Sequence, residues 1–537
     1  MSEARSSQRG ARQIQEPEAI GRRTFLGLVG QAVAGGGTAA LIAGCGGSSP
    51  HRKARAAGTK KPARAVAVKP DVEKFHSRPD LEPPKILVAA RPTAMEAVTA
   101  VAARGPAPMV VTDTHGLGQQ GPLLIDRSGK LIWFEPLSDR GTSRLRAMNV
   151  NVQSYKGEPV LSWWQGAIVA AHGAGHYELI DQRYRRVAQV HGHNGYAGDL
   201  HEFLITEQGT ALFTCYGKTE AEIPDHKGTG TRRAAIWYGV AQEVDIATGR
   251  LLFQWRSIDH VPVQESYHLP PPADRAVPWD YFHINSIAVD PADGNLLISS
   301  RNTWTVYKIN RRSGKMIWRL GGRHDEFALR GDARFAFQHH VRMHPGGVMT
   351  IFDNEGGPPD EASQSRGLVL KLDERRRTAT FVRQYLHRPP VLSPALGSVQ
   401  LLAGGGAFVG WGDSSWFTEY DAAGRPVLDA HLPTGCISYR AYEKPWEGRP
   451  LTRPRTAVRH HPGRVTVYAS WNGSSEHSHW RLLAGPSPSS LRPVAERRSD
   501  RFEVAFDVRR PQRWVAVAAV DAAGAEVGRS EPHRVRV

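Results

Sequence analysis

Three of the 23 histidines of this 537-residue chain stand at one repeated position, at or directly before the start of a short strand pattern. They are His201, His283 and His339, and Asn285 and Arg301 accompany the second of them. A histidine can serve as nucleophile, proton carrier or metal ligand because its pKa lies near neutrality. A neighbouring arginine repels a metal ion and presents a fork that matches a tetrahedral oxyanion. These residue types therefore predict a site that transfers an anionic group.

Two simpler interpretations of the histidines stay open at this point. Their side chains can satisfy backbone groups at the mouth of a channel, which requires no chemistry. They can also hold a metal ion, since imidazole is a common ligand for zinc, copper and iron. We expect no metal and no cofactor, because Arg301 already places a cation among the histidines.

The elements that must position these residues repeat along the middle of the chain. A short strand ends in Asp or Asn, a turn follows, and a second strand begins. Asp or Asn before a turn, with glycine closing most copies, indicates a β-hairpin because both residues tolerate turn conformations. Successive copies are 48 to 65 residues apart. The copies read Leu124-Ile125-Asp126, Leu179-Ile180-Asp181, Glu243-Val244-Asp245, Lys308-Ile309-Asn310, Lys371-Leu372-Asp373 and Glu419-Tyr420-Asp421.

A second kind of hairpin lies between these copies and carries the histidines. Its clearest examples pair residues 202–205 with 211–213, 286–289 with 296–298, 341–343 with 348–351, and 399–402 with 407–409. Two hairpins per period make a four-stranded blade, so the repeats predict an all-β, six-bladed β-propeller over residues 75–447. Because the first strand of a blade is innermost, we expect the histidines of consecutive blades to converge on the axis.

The last stretch of the chain, residues 455–537, breaks the repeat. Apolar strand patterns precede Trp471 and follow Trp514. Short strands, a central tryptophan and turns predict a small β-sandwich of the fibronectin type III or immunoglobulin-like kind. We expect this part to serve in packing or partner binding.

Residues 1–45 predict an export signal. Gly21-Arg22-Arg23 and the weakly apolar stretch after it resemble a twin-arginine signal. The stretch ends in Leu41-Ile42-Ala43-Gly44-Cys45, which resembles a lipobox with Cys45 as the lipidated residue. An uncleaved anchor and a plain signal peptide are the alternatives. We expect a lipoprotein on the extracytoplasmic face of the cell membrane, or a secreted protein.

Charge is concentrated at the N-terminus. Residues 1–70 carry +9 of the net +17, and the remainder is close to balance, which argues against a nucleic-acid binder. The Ser, Gly, Lys, Arg and Pro of residues 46–74 predict a disordered basic linker near the membrane surface. Three cysteines are too few for a disulfide framework. Cys215 and Cys436 can pair after export, although we favour buried free thiols.

Taken together, the motifs resemble the bacterial arylsulfotransferases that need no nucleotide donor, in particular their actinobacterial-type relatives. The likeness spans about residues 75–447, and the order and spacing of its motifs are specific. The matching segments are Phe75-His76-Ser77-Arg78-Pro79-Asp80-Leu81, Gly198-Asp199-Leu200-His201, Trp279-Asp280-Tyr281-Phe282-His283-Ile284-Asn285-Ser286, Ser300-Arg301-Asn302-Thr303-Trp304, Lys315-Met316-Ile317-Trp318-Arg319-Leu320-Gly321-Gly322, Phe337-Gln338-His339, Phe352-Asp353-Asn354 and Phe408-Val409-Gly410-Trp411-Gly412.

This resemblance implies a ping-pong transfer of a sulfuryl group from an aryl sulfate to a phenol. It implies that His339 is the nucleophile that becomes a sulfohistidine. Sulfate binding and proton handling fall to the remaining four residues, which are His201, His283, Asn285 and Arg301. Which histidine carries the proton is left open. Small-molecule aryl sulfate and phenol are the implied partners, with no nucleic acid, and the oligomeric state stays undetermined.

One departure from the family pattern concerns the residue after the nucleophile. Relatives of this type usually have an acidic residue there, and this chain has His340. If that acid orients the nucleophile, activity is altered here. Trp163, Trp164 and Trp304 are candidate walls for an aryl group, although tryptophans of propellers more often belong to the core.

Two rival functions remain. Quinoprotein dehydrogenases also have propellers with Gly-to-Trp hairpins, but they call for more repeats and for paired cysteines or a calcium-binding acid cluster. A non-catalytic, lipid-anchored binding propeller is the second rival, and the exchange at His340 and the added C-terminal domain keep it open. The evidence against it is the retention of the five site residues, which are His201, His283, Asn285, Arg301 and His339.

Overall fold

The computed structural model describes residues 72–90, 108–116, 119–137, 145–357, 360–361 and 363–536. Within them the regular elements are β-strands and four short 3₁₀ helices, namely Ser257–Asp259, Val263–Glu265, Pro345–Gly347 and Gly412–Ser414. The prediction of an all-β chain is confirmed. The predicted export signal with Cys45 and most of the predicted linker lie outside the described residues. No helix among these residues has the length and apolarity that crossing a membrane requires.

The strands are numbered in chain order, and β1 to β17 extend to residue 321. Their bounds are β1 (Leu87–Ala90), β2 (Pro108–Gly116), β3 (Gly121–Ile125), β4 (Leu131–Phe134), β5 (Arg146–Tyr155), β6 (Glu158–Val169), β7 (His172–Ile180), β8 (Arg186–Val190), β9 (Gly198–Ile205), β10 (Thr210–Pro224), β11 (Thr231–Asp245), β12 (Leu251–Arg256), β13 (Trp279–Asp280), β14 (Ile284–Val289), β15 (Leu296–Ser300), β16 (Thr305–Ile309) and β17 (Met316–Gly321).

Strands β18 to β38 complete the described chain. Their bounds are β18 (Ala328–Arg330), β19 (His339–His344), β20 (Val348–Asp353), β21 (Gly356–Gly357), β22 (Asp360–Glu361), β23 (Arg366–Asp373), β24 (Thr378–Tyr385), β25 (Ser398–Leu401), β26 (Ala407–Gly410), β27 (Trp416–Tyr420), β28 (Pro426–His431), β29 (Cys436–Ile437), β30 (Ala441–Pro445), β31 (Arg455–His461), β32 (Arg464–Ser470), β33 (His479–Gly485), β34 (Arg492–Arg498), β35 (Glu503–Val508), β36 (Trp514–Val520), β37 (Glu526–Arg529) and β38 (His533–Arg534).

Antiparallel runs of four strands recur along the chain. The simplest is β14-β15-β16-β17, in which each strand pairs with the next. The runs β19-β20-β23-β24 and β25-β26-β27-β28 repeat this order, and β18 adds to the outside of the former in parallel. Strands β5 to β12 form two further runs that are joined where Gly175 of β7 pairs with Gly198 of β9.

The two ends of the region between residues 87 and 445 are joined by exchanged strands. Strand β30 pairs with β2 in the order β30-β2-β3-β4, so a late strand supplies the first position of the earliest run. Strand β1 pairs with β28 at the opposite side of the preceding run. The sequence shows the first blade least clearly because one of its strands comes from the far end of the region.

The predicted hairpins are confirmed. The Asp and Asn turns join β3 to β4, β7 to β8, β11 to β12, β16 to β17, β23 to β24, and β27 to β28. At the first of them, Oδ1 of Asp126 accepts hydrogen bonds from the backbone N–H groups of Ser128 at 2.8 Å and Lys130 at 3.0 Å. A short acidic side chain thus replaces a backbone acceptor inside the turn. The tryptophans on the second strands, Trp133, Trp255 and Trp318, are buried.

The C-terminal module, residues 455–536, contains two antiparallel sheets. Strands β31-β32-β35 form one, and β34-β33-β36-β37 form the other, with β38 added to β36. Their facing side chains share one apolar core that includes Val467, Trp480 and Val517. The module is tied to the rest of the chain because Asn472 exchanges two hydrogen bonds with the backbone of Phe134.

Candidate active site

The structure brings the three predicted histidines together. His201 lies in β9, His283 directly precedes β14, and His339 begins β19. The ring centroids of His201 and His283 are 4.8 Å apart, and those of His283 and His339 are 6.5 Å apart. Only 2%, 8% and 1% of their respective surfaces are exposed, so the cluster is screened from bulk water. The prediction that the three histidines lie close together, made from their matching positions in successive hairpins, is therefore confirmed.

His339 is held in one tautomer by Asn354. The side-chain amide of Asn354 donates to the carbonyls of Ser393 at 2.7 Å and Leu396 at 3.0 Å, which leaves its Oδ1 as an acceptor. Nδ1–H of His339 donates to that oxygen across 2.7 Å. Nε2 consequently carries the lone pair, and its contact with the backbone N–H of Leu396 is long, at 3.4 Å.

The surroundings of His339 keep its ring neutral. Burial lowers its pKa well below the ordinary value of 6.5, and the positive charge of Arg301 lowers it further. His283 and His201 act in the same direction. A buried imidazole with a free Nε2 lone pair and no charge is suited to attack an electrophile.

The other two histidines each pair with a carboxylate. Nδ1 of His201 lies 2.6 Å from Oδ2 of Asp199, and Nδ1 of His283 lies 2.5 Å from Oδ2 of Asp280. Each aspartate also accepts the backbone N–H of its histidine, at 2.9 Å and 3.0 Å respectively. A carboxylate on Nδ1 orients the ring and stabilises its protonated form, as general acid–base catalysis requires.

His283 has a left-handed backbone conformation, with φ of 53°. This region is uncommon for residues other than glycine, and such strain concentrates at functional sites. The strained turn is held because Asp280 accepts the N–H of His283 while the His283 carbonyl accepts the N–H of Arg301 at 3.0 Å. Arg301 therefore lies beside His283, as predicted from the antiparallel return of β15 along β14.

The guanidinium of Arg301 uses only part of its hydrogen-bonding capacity. One nitrogen of its fork donates to Oδ1 of Asn302 at 2.9 Å, and the other donates to the carbonyl of Pro394 at 3.2 Å. Its Nε is buried without a hydrogen-bond partner, and the guanidinium packs 4.8 Å above the ring of Phe337. Burial lowers the pKa of Arg301 to about 10, so the group stays charged at neutral pH.

Asn285 contacts the backbone next to His339. Its Nδ2 donates to the carbonyl of Gln338 across 2.6 Å, and its Oδ1 is buried without a partner. Gln338 directly precedes His339, so Asn285 connects β14 to the residue directly before β19.

The ring of His340 makes its hydrogen bonds to residues other than His339. Its Nδ1 accepts the backbone N–H of Val399 at 3.2 Å, and Nε2–H donates to the hydroxyl of Tyr442 across 3.0 Å. In this chain the contact that orients the ring of His339 comes from Asn354 and not from position 340. The effect of the exchange at His340 on activity stays a prediction.

The tryptophans considered as aryl-binding walls have different surroundings. Trp164 is fully buried and donates to the carbonyl of Gly198, and Trp163 packs in a core cluster with Trp133. Trp304 stacks on Tyr267 at a centroid distance of 3.9 Å and packs 5.0 Å from Phe337 in an edge-to-face contact, close to the histidine cluster.

A metal ion does not fit the cluster as it is arranged. Ligand-type atoms of His172, Asp280 and His283 lie within 4.8 Å of one another. Oδ2 of Asp280, however, lies 2.9 Å from Nε2 of His172 and 2.5 Å from Nδ1 of His283. Ligands about 2.0–2.1 Å from a tetrahedral zinc ion are roughly 3.3 Å apart, so these distances describe hydrogen bonds.

The sequence comparison decides the family. The family model described as arylsulfotransferase (ASST) matches residues 151–432, which is more than half of the chain and includes all five predicted site residues. The chain belongs to the arylsulfotransferase family. A search of curated proteins finds no significant match to this arylsulfotransferase-family chain.

Solved structures resemble this arylsulfotransferase-family protein only distantly. A Bacteroides caccae protein of unknown function is 13% identical, with a TM-score of 0.37 over 63% of this chain and 99% of its own. A Lactobacillus plantarum protein is 14% identical, with a TM-score of 0.35 over 75% and 99%. A catalytically inactive virginiamycin B lyase variant from Staphylococcus aureus, solved with Quinupristin, is 9% identical, with a TM-score of 0.28 over 74% and 97%.

Sequence reasoning missed four polar partners in this arylsulfotransferase-family site: His172, Asp199, Asp280 and Asn354. For the two aspartates a signal existed, since each precedes its histidine by two or three residues. Asn354 follows β20, in which Phe352 pairs with His339, so the pairing of this hairpin was a signal that could have indicated its proximity. His172 has no local signal, because β7 and the segment around Asp280 are more than a hundred residues apart.

Proposed function

We propose that this chain transfers a sulfuryl group from an aryl sulfate to a phenolic acceptor by a ping-pong mechanism through a sulfohistidine at His339. The observation that carries the proposal is the buried, neutral ring of His339, whose Nδ1 is committed to Asn354 and whose Nε2 lone pair is available beside the cation of Arg301. Membership of the arylsulfotransferase family supports the same reaction.

In the first half-reaction, Nε2 of His339 attacks sulfur in line with the bond to the aryl oxygen. The new N–S bond forms as that S–O bond breaks, and the electron pair leaves on the phenolate. A protonated His201 or His283 donates the proton that converts the phenolate to phenol. Such proton transfer contributes typically ~10²–10⁴-fold to the rate. Nδ1–H of the sulfohistidine stays bonded to Asn354.

In the second half-reaction, the acceptor phenol attacks the same sulfur. Its proton passes to the histidine that has just given one up, the S–O bond forms, and the N–S electron pair returns to Nε2 of His339. Sulfuryl transfer resembles phosphoryl transfer in that charge spreads over the equatorial oxygens, so catalysis depends mainly on position and on fixed positive charge.

Arg301 is proposed to hold the sulfuryl oxygens. Its Nε lacks a partner, and the long contact to Pro394 can be exchanged for an anion. Asn285 is proposed to assist, with its second amide hydrogen as the donor while the first stays on Gln338. The contact of Leu396 with Nε2 of His339 must also yield to the substrate.

We further infer that the four-stranded runs are the six blades of a propeller, with β30-β2-β3-β4 as the blade that closes the ring. The exchanged strands at both ends support closure, because each of them pairs the beginning of the region with its end. The C-terminal module is then a β-sandwich, supported by its two sheets around one core. Export as a lipoprotein with a lipid at Cys45 stays a proposal from sequence alone.

The test uses the purified chain with 4-nitrophenyl sulfate, with and without phenol. Nitrophenolate release that depends on phenol, and a trapped covalent sulfuryl adduct in the intact mass, are the expected results. His339→Ala is expected to abolish both. His344→Ala is the matched control, because His344 lies on the same strand and bonds only to Thr350 at 3.0 Å among the contacts described.

Two outcomes would redirect the proposal. No release with any phenol, from protein shown to be folded, favours a non-catalytic, lipid-anchored binding propeller. Release that persists in His339→Ala would assign the nucleophile to another residue.

A further inference from the structure

Two histidines share one carboxylate oxygen next to the proposed reaction centre. Oδ2 of Asp280 accepts from Nδ1 of His283 at 2.5 Å and from Nε2 of His172 at 2.9 Å. The centroids of the two imidazole rings are 5.8 Å apart. Only 4% of the surface of His172 is exposed, and its ring packs 4.0 Å from the ring of Tyr216 and 4.9 Å from that of Trp237. His172 is therefore held against Asp280 by its surroundings.

The equivalent carboxylate on the other proton-carrying histidine has no such competitor. Asp199 accepts from Nδ1 of His201, from the N–H groups of His201 and Gly173, and from the hydroxyl of Thr214. All donors except His201 itself are uncharged backbone or hydroxyl groups. Among the hydrogen-bond donors to the two aspartates, only Asp280 has a second imidazole.

We propose that His172 is a positioning residue that controls the proton on His283 through their shared Asp280, which makes His283 the acid–base residue of the site. The proposal rests on the proposed sulfuryl transfer and deepens it, because that reaction needs one histidine to release and recover a proton. His172 does not touch the reacting atoms in this assignment.

The physical basis is competition for one negative charge. A proton on His172 largely neutralises the Asp280 carboxylate, which then stabilises a second proton on His283 less. His172 and His283 therefore titrate as one coupled unit. Together on Asp280 the two histidines hold one extra proton, whereas two separate His–Asp pairs would hold one extra proton each. Despite burial, Asp280 raises the pKa of His172 above 6.5, whereas burial, His201 and Arg301 lower the pKa of His283 to about 4 against the pull of Asp280.

Other titratable and charged groups surround the pair and are unchanged by the substitution used in the test. The titratable and charged groups that face the pair are Asp199, His201, Tyr216, His268, Arg301 and His339. Once His283 has given its proton to the leaving phenolate, the competition keeps the remaining proton on His172 and leaves Nε2 of His283 with its lone pair. When the acceptor phenol attacks sulfur, its proton moves to Nε2 of His283 as the S–O bond forms and the N–S electron pair returns to His339.

The first experiment compares His172→Gln with the wild-type chain. Glutamine keeps a donor for Asp280 but carries no charge, so the pKa of His283 should rise. The acid limb of kcat/KM for the phenol should move to higher pH by about one unit, since an opposite charge nearby shifts a pKa by 1–3 units. His176→Gln is the control, because His176 lies on the same strand and bonds to Glu178 at 3.0 Å.

The second experiment needs no turnover and separates this inference from the proposed function. ¹⁵N-histidine NMR of the resting wild-type chain should show His172 losing its proton at higher pH than His283, and His283 should titrate at higher pH in His172→Gln. This result would support the shared proton even if no sulfuryl transfer were found.

Three outcomes would overturn the inference. The first is an unchanged His283 titration and pH profile in His172→Gln from active, folded enzyme. The second is independent titration of the two histidines in the wild type. The third is stoichiometric binding of added ZnCl₂ in calorimetry that disappears in His172→Gln, which would make the triad a metal centre.

Discussion

Nδ1–H of His339 donates to Oδ1 of Asn354 across 2.7 Å, and this contact decides which nitrogen of the ring is available for reaction. Asn354 cannot offer its amide hydrogens instead, because both are engaged by the carbonyls of Ser393 and Leu396. A neutral imidazole oriented in this way resembles the general triad arrangement, in which a polar partner sets the tautomer of the reacting histidine. In this site the partner that sets the tautomer is the uncharged amide of Asn354. Unlike a carboxylate, it adds no negative charge that would stabilise a protonated His339.

Asn354→Ala should therefore lower the rate of sulfohistidine formation by about 10²-fold or more, because a wrong tautomer alone can cost up to ~10⁴-fold. The measurement is the burst of nitrophenolate at the first turnover. Asn472→Ala is the matched control, since Asn472 also makes two backbone hydrogen bonds but lies in the C-terminal module. An unaltered burst in Asn354→Ala would mean that the tautomer is set by another group.

Arg301→Lys should lower kcat/KM for the aryl sulfate by about 10–10²-fold while the fold is kept. Lysine retains the charge but loses the planar fork that matches an oxyanion. Arg323→Lys serves as the control, because Arg323 stacks 4.3 Å from the ring of Tyr267 and donates to a backbone carbonyl away from the histidines. Equal losses in the two variants would show that the guanidinium acts only through packing.

His340→Gln should weaken the acid sensitivity of folding and leave transfer within about threefold of the wild type. Burial, with Arg342 and Arg440 nearby, lowers the pKa of His340 well below 6.5 in the folded chain. The unfolded chain therefore binds the extra proton, and stability is lost as pH falls below 6.5 by up to ~1.4 kcal/mol per pH unit for this group. Denaturant unfolding at pH 5 and pH 7.5 measures the difference. A difference equal to that of the wild type would refute the expectation.

Glu202→Gln should cost about 3–5 kcal/mol of unfolding free energy, because it leaves buried positive charge without its partner. Glu202 lies 2.9 Å from Arg440 and 2.8 Å from Arg342, and only 1% of its side chain is exposed. Adding Arg440→Met to Glu202→Gln should recover part of the loss, since the double variant removes both charges. Strictly additive losses in denaturant unfolding would contradict a direct ion pair.

Local sequence patterns predicted much of the fold and part of the site. The Asp and Asn turns are encoded by residues four apart, as at Asp126 and Lys130, so no distant contact is needed to recognise them. The alternation of hairpins also places His201, His283 and His339 in or directly before the first strand of three successive four-stranded runs. Pairing between the chain ends was not predictable, because β30 and β2 are more than three hundred residues apart and neither carries a turn signal.

The sequence by itself determined the residue types of the site, the period of the hairpins and the family to which they point. Only the tertiary structure decided that Asn354 orients His339, that His340 turns away from it, and that His172 competes with His283 for Asp280. The physical reason is that strand periodicity sets where a side chain starts, whereas its hydrogen-bond partner comes from another strand or sheet. Burial and charge then act through those partners, and no local pattern in the chain encodes them.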